Sequence, residues 1–369
     1  MKIGIITQPL HTNYGGLIQN YALQQTLKHL GHEPITLDQR NTSSPQWRII
    51  ASYIKTFLLK LIGKGGNRLY PKQMDREKKH IRQHTNLFIE RYITHTEPFK
   101  HTKEFRSYTI SHQLDALIVG SDQVWRPIYN QNVLCSFLNF AKGLNLTRLA
   151  YAASFGVDFW EFNKYETRHA KELICKFKAI SVREHSGIDL CRTFLGCDAV
   201  HVLDPTMLLD KEDYMQLVEK ENEPISNGNL FTYILDESEE KELIIKKVAS
   251  DLDLQPFATM PKHQTDAFPP LTQWLRAFMD SKFVVCDSFH GAVFSIIFNK
   301  PFLIIGNKER GMTRFNSLLD TFELNNRMID NIVNVHSIVN SPIDWEKVNQ
   351  IRCEMKNYSI QFLKNNLKQ

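Results

Sequence analysis

The chain has 369 residues, 42% of them hydrophobic and 23% charged, with a formal net charge of +5. That balance is ordinary for a globular protein, and the length suits two domains. The small basic excess fits an anionic substrate or an anionic membrane surface. Aromatic and Arg residues do not interleave in any nucleic-acid motif, so nucleic acid is not an expected partner. The six cysteines (Cys135, Cys175, Cys191, Cys197, Cys286, Cys353) show no CxxC pair and no zinc spacing, so reduced thiols and no metal are expected. Met1-Lys2 runs straight into a short apolar strand, and no run nears the ~18 apolar residues of a membrane span. The expected location is cytoplasmic, with peripheral contact at the inner membrane face as the membrane option.

The first elements form a βαβ unit. Lys2 to Thr7 reads as a strand, Gln8 to Gly16 as a loop containing Asn13-Tyr14-Gly15-Gly16, and Leu17 to Leu30 as a helix closed by Gly31, followed by a strand from Pro34 to Asp38. The glycine pair lacks G-x-G-x-x-G spacing, so a dinucleotide site is unsupported; a ligand loop and a tight packing turn remain open. Trp47 to Ile62 is apolar and aromatic but punctuated by Arg48, Lys55 and Lys60. It reads as a helix packed on its own domain or resting on an anionic bilayer, one of the inserted helices expected over about 45–92. Asp75 to Arg91 reads as a solvated helix.

Strand runs then recur, each ending in polar residues. Leu114 to Val119 ends in Gly120-Ser121-Asp122-Gln123-Val124-Trp125, and Arg148 to Ala153 in Ser154-Phe155-Gly156. Ala179 to Val182 ends in Arg183-Glu184, and Ala199 to Leu203 in Asp204-Pro205-Thr206. Strand exits of this kind sit on the carboxyl edge of a parallel sheet, where α/β proteins bind ligands. Glu221 to Asn229, with Pro224, Asn227 and Gly228, is the best linker. The expected domains are 1–222 on the acceptor side, 223–340 on the donor side, and a segment 341–369 whose apolar stripe could brace the first domain.

The second domain turns on Phe283 to Pro301. Phe283-Val284-Val285-Cys286 reads as a buried strand, Asp287 and Ser288 as N-cap types, and Ala292 to Phe298 as an apolar helix. His290 thus lies at a helix N-terminus, among N–H groups suited to an anion. It is either a hydrogen-bonded core histidine or a functional one, and the flanking Asp, Ser and Gly favour function. Two such domains imply an α/β fold of two Rossmann-like domains facing a cleft, GT-B-like in layout.

Taken in order, Asn13-Tyr14-Gly15-Gly16, Leu114 to Trp125, Ser181-Val182-Arg183-Glu184, Asp204-Pro205-Thr206, Asp287 to Gly291 and Arg314 to Leu319 resemble the polysaccharide pyruvyl transferase family. The resemblance implies an enzyme that moves pyruvate from phosphoenolpyruvate, a co-substrate rather than a cofactor, onto a saccharide of a polysaccharide or its lipid-linked precursor. It forms a ketal there and releases phosphate. It further implies that His290 is the general acid and Arg183 a donor-binding residue. Many members carry Arg two positions before that His, where this chain has Ser288; Arg310 or Arg314 is the expected substitute.

The chemistry is compatible with the residues. A carboxylate and a phosphate need helix N-termini and Arg, and His titrates in a range suited to proton delivery. The helix N-terminus opposes an imidazolium while a bound dianion favours it, so His290 is expected to be charged chiefly with donor bound. Ser288 and Gly291 join the donor set. Asp122 reads as the base on an acceptor hydroxyl or as a turn residue. Asn13, Tyr14, Gly15, Gly16, Gln123 and Trp125 form the acceptor set, with Tyr14 and Trp125 stacking on sugar faces or packing within their own loops. The rivals are a nucleotide-sugar glycosyltransferase on the same fold and a non-catalytic saccharide-binding subunit.

Overall fold

The computed structural model describes residues 1–39, 71–130, 132–261, 263, 265–306, 311–329, 332 and 335–368. The expected helix Trp47 to Ile62 and the donor candidate Arg310 lie outside them.

Two parallel sheets carry the fold. The first is ordered β2-β1-β3-β4-β5-β6, from β1 (Lys2–Ile6), β2 (Glu33–Thr36), β3 (Ala116–Val119), β4 (Thr147–Ala153), β5 (Ala179–Val182) and β6 (Val200–His201). Ile5 pairs with Thr36 on one side, and Ile3 with Ala116 on the other. The second sheet is ordered β11-β10-β9-β7-β8. Its strands are β7 (Leu230–Tyr233), β8 (Pro256–Phe257), β9 (Phe283–Cys286), β10 (Phe302–Ile305) and β11 (Met328–Ile329). Every residue of β3, β9 and β10 is buried, which explains their unbroken apolar sequence: helices cover both faces of a parallel sheet, so neither can be polar.

The helices follow from local chemistry. In α1 (Tyr14–His29), Leu17, Ile18, Leu23 and Leu27 are buried, and the apolar residues spread around most of the barrel because the helix is enclosed on most sides. The polar stretch after residue 70 forms two helices, α2 (Pro71–Ile81) and α3 (Gln83–Tyr92), parted at Arg82. Helix α4 (Thr102–Ser111), unanticipated from the sequence, precedes β3. Next come α5 (Lys164–Ile174), capped by a reciprocal Asn163–Glu166 pair, and the short α6 (His185–Leu190). Further on lie α7 (Lys211–Lys220), α8 (Glu239–Leu252), α9 (Leu271–Asp280), α10 (Phe289–Ile297), α11 (Thr313–Phe322) and α12 (Val335–Val339).

One apolar core runs through the seam between the sheets. Tyr14 and Leu17 from the first half join Phe231, Trp274 and Phe294 from the second. The Tyr14 ring meets Phe268 edge-on at 5.8 Å, and Tyr214 meets Phe294 in the same way at 4.9 Å. The last helix, α13 (Trp345–Asn366), is capped by Asp344 accepting from the Lys347 N–H. It returns to the first sheet, where Ser359 Oγ accepts the Leu203 N–H at 3.1 Å and Arg352 donates to the Leu209 carbonyl at 2.7 Å. It also packs on α11, so one helix braces both halves. Leu363, fully buried in this brace, supplies its anchor. Leu363→Ala is expected to cost about 3 kcal/mol of stability, read as a lower urea midpoint; an unchanged midpoint would show that the helix adds nothing to the fold.

Candidate active site

The loop bearing His290 is fixed by a carboxylate. Asp287 follows β9, is wholly buried, and accepts the Leu235 N–H at 2.7 Å and the Asp236 N–H at 3.1 Å. Lys241 Nζ, from α8, adds a charged bond at 2.7 Å. The exits of β7 and β9 are thereby clamped together. Ser288 occupies the N-cap position of α10 in an extended conformation, but its side chain makes no cap bond. Gly291 serves packing: a Cβ there would lie 2.7 Å from the Cβ of Cys286. Helix and strand approach closely because position 291 has no side chain.

From this loop His290 reaches across the seam. Its Nε2 stands 3.7 Å from Oδ2 of Asp204, at the exit of β6; that is an ion-pair separation too long for a hydrogen bond. Nε2 has no hydrogen-bond partner among the described residues. On the other side, a Cβ at Gly15 would fall 2.0 Å from His290 Nδ1, so the start of α1 can lie against the imidazole only as glycine. A Cβ at Gly16 would stand 3.1 Å from Asn13 Nδ2. Both glycines thus serve close packing at the start of α1.

Asp204 is the hub beneath. Its Oδ2 accepts Arg183 Nη1 at 2.8 Å and Ser121 Oγ at 3.3 Å, while Oδ1 accepts the backbone N–H and hydroxyl of Thr206. Burial opposes ionisation, but the His290 and Arg183 contacts outweigh it and hold the carboxyl well below the usual range. Arg183 also donates through Nε to Glu184 at 3.3 Å, and its Nη2 lies 3.7 Å from Asp122. Burial works against this guanidinium as well; Glu184, Asp204 and Asp122 overcome it and raise its pKa.

Arg183 does not line the main cleft. Its guanidinium stacks 4.5 Å from the centroid of the Phe289 ring and borders a small separate void with Asp204 and His201. Arg183, expected to bind the donor, stands one layer behind the cleft, engaged by carboxylates. Arg314, on α11, does line the cleft, with its guanidinium 5.8 Å from the same ring. Burial first, and then repulsion by Arg183, lower its pKa to about 10, so it stays charged at neutral pH.

The cleft has a volume of about 320 Å³ and brings Asp122, Asn13 and Gln123 from the first sheet to Ser288, His290 and Arg314 from the second. Asp122 accepts the Gln123 N–H at 2.9 Å and Asn13 Nδ2 at 3.3 Å. Two expected wall residues are absent. Trp125 is wholly buried, donates to the Ser136 carbonyl at 3.0 Å and stacks on Phe137. Tyr14 is buried in the seam, its hydroxyl bonded to the Pro269 carbonyl. Neither has a ring face left for a sugar. Conversely Gln8, His11 and Tyr129 line the cleft without having been singled out. Tyr129 could have been found as an aromatic in a polar strand-exit loop; for Gln8 and His11 the sequence offers no signal.

The hub makes a pH-dependent prediction. A carboxyl held low in the folded state contributes stability that is complete above its unfolded value of ~4 and is lost as pH falls toward its folded value. Asp204→Asn is therefore expected to be less stable than the wild type at pH 6, with the gap closing below about pH 4. Urea unfolding across that range measures it, and a gap independent of pH would count against the assignment.

Among the described residues no cluster of His, Cys, Asp or Glu is arranged to hold a metal ion, and no helix is long and apolar enough to cross a membrane. The fold is similar to that of the UDP-GlcNAc 2-epimerase of Methanocaldococcus jannaschii, with a TM-score of 0.56 and 13% identity over 99% of this chain and 100% of that one. It is also similar to that of the MnaA–UDP co-structure of S. aureus, with a TM-score of 0.51 and 12% identity over 100% of this chain and 96% of that one. Identities this low speak for the shared two-sheet, GT-B-like architecture alone. No curated protein sequence matches the chain at a significant level. The family model for polysaccharide pyruvyl transferase matches residues 13–309, a span containing the cleft residues from Asn13 to His290, and the chain belongs to that family.

Proposed function

We propose that the protein transfers pyruvate from phosphoenolpyruvate to a saccharide, free or lipid-linked, closing a ketal across two hydroxyls of one sugar and releasing phosphate. The observation that carries this reading is the meeting of His290 and Arg314 from one sheet with Asp122 from the other in a single cleft. Arg314, the Ser288 hydroxyl and the N–H groups that open α10 suit the donor's carboxylate and phosphate. Arg314 thereby stands in for the arginine that many family members carry at the position of Ser288. Arg183 acts from behind, holding Phe289, Asp122 and Asp204 in place.

His290 delivers a proton to the methylene carbon of the enol, which becomes a methyl group, and one sugar hydroxyl bonds to the adjacent carbon. The C–O bond to phosphate breaks, phosphate leaves with its electron pair, and the second hydroxyl closes the ring. The two hydroxyl protons pass to Asp122 or His290. One replaces the proton spent on carbon and the other leaves with phosphate. Asp204, whose Oδ2 stands 3.7 Å from His290 Nε2, orients the imidazole toward the cleft.

A nucleotide-sugar reaction is the second reading, supported by the fold likeness to the S. aureus MnaA–UDP co-structure. The two separate in one assay, because phosphoenolpyruvate would then release no phosphate and no acceptor would gain the mass of a ketal. On the pyruvyl reading, His290→Ala lowers phosphate release at least ~100-fold while donor binding persists; near-normal turnover would remove the general-acid role. Arg314→Gln is expected to raise the KM for phosphoenolpyruvate about tenfold or more, with an unchanged KM as the refuting result.

A further inference from the structure

The two walls of the cleft differ in chemistry. The second sheet contributes cationic and anion-binding groups. The first contributes Gln8, Asn13, Gln123 and Tyr129 around the carboxylate of Asp122, with His11 beside them. Each amide has one end engaged. Gln8 Nε2 donates to the Gln123 carbonyl at 2.7 Å, Asn13 Nδ2 to Asp122, and Gln123 Oε1 accepts Arg126 Nη1 at 3.0 Å. Their other ends (Gln8 Oε1, Asn13 Oδ1 and Gln123 Nε2) make no hydrogen bond among the described residues. They supply both acceptors and a donor.

Tyr129 stands among them with 50% of its surface exposed. The Arg126 guanidinium lies 4.8 Å from its ring centroid. Arg126 is itself buried and anchored by Glu161 at 3.2 Å and by Gln123. One ring face is therefore backed by a fixed cation and the ring is held at small entropic cost. A sugar ring offers a C–H face ringed by hydroxyls, and an aromatic face flanked by amides complements it.

We propose that Tyr129 is the platform on which the acceptor sugar stacks, with Gln8, Asn13 and Gln123 reading the hydroxyls at its edge. This rests on the saccharide acceptor of the proposed function and replaces Trp125 and Tyr14 as the aromatic contact. Arg126 is a positioning residue that acts through the Tyr129 ring.

Saturation-transfer NMR of the full chain with methyl glycosides of glucose, galactose, mannose and N-acetylglucosamine tests it without requiring turnover. At least one glycoside is expected to bind, with the strongest saturation at its ring C–H protons. Tyr129→Phe should keep that binding and Tyr129→Ala should weaken it tenfold or more with thermal unfolding unchanged. Binding of none of the four, or equal binding by Tyr129→Ala, overturns the platform. Phosphate release from phosphoenolpyruvate is measured separately: glycoside binding through Tyr129 without that release would end the pyruvyl reading and leave the platform standing.

Discussion

One buried carboxylate sets the geometry of this molecule. Asp204 belongs to the first sheet, yet its Oδ2 faces both Arg183 of that sheet and His290 of the other. Charges taken out of water are tolerated only when their partners are all in place, and losing one partner leaves the others uncompensated. The two halves are therefore held in a relation that keeps His290 opposite Asp204, and the apolar core through the seam holds them there as well. A cleft built in this way is organised before any ligand arrives. Its cost is local: Nη2 of Arg183 and Nε2 of His290 are buried without hydrogen-bond partners among the described residues. Unmet polar atoms beside a cleft are where a fold departs from its own rules for a reason outside stability.

The scaffold was legible because its physics is local. Strands such as Phe283–Cys286 are enclosed on both faces and must be apolar throughout, while the residue after each must turn the chain and meet water or ligand. That contrast exposed the exits at Asp122, Arg183, Asp204 and His290. The two-residue strands β8 and β11 carry too short a pattern to read. Helix α4 escaped because its apolar positions, Phe105 and Tyr108 among them, are diluted by Lys, Arg and Ser.

Side-chain roles were less legible, and distance along the chain explains why. Trp125 packs on Phe137, supplied by a turn the sequence does not announce, and Tyr14 is closed over by Phe268 and Pro269 from the opposite domain. An aromatic in a strand-exit loop looks the same whether a distant segment covers it or leaves it open. Tyr129 is open because the residue stacked beneath it, Arg126, is satisfied by Glu161 rather than by another apolar side chain. Arg183 illustrates the same point with charge. Its strand-exit position suggested a ligand contact, and three carboxylates from three other positions claimed it first.

Ser288 connects these observations. An arginine at the N-cap of α10 would bring a third guanidinium to a place where Arg183 and Arg314 already share one phenyl ring, and where burial first and Arg183 second lower the Arg314 pKa. Three like charges so close, partly out of water, would disfavour the empty state strongly. With serine there, the cleft keeps a hydroxyl and the helix N-terminus while its positive charge comes from α11 on the adjoining wall. On the proposed reading the donor is then gripped from the side of Arg314 rather than from the His290 loop itself. The His290 loop then carries no guanidinium of its own beside the imidazole, whose Nε2 faces the Asp204 carboxylate that Arg183 already holds.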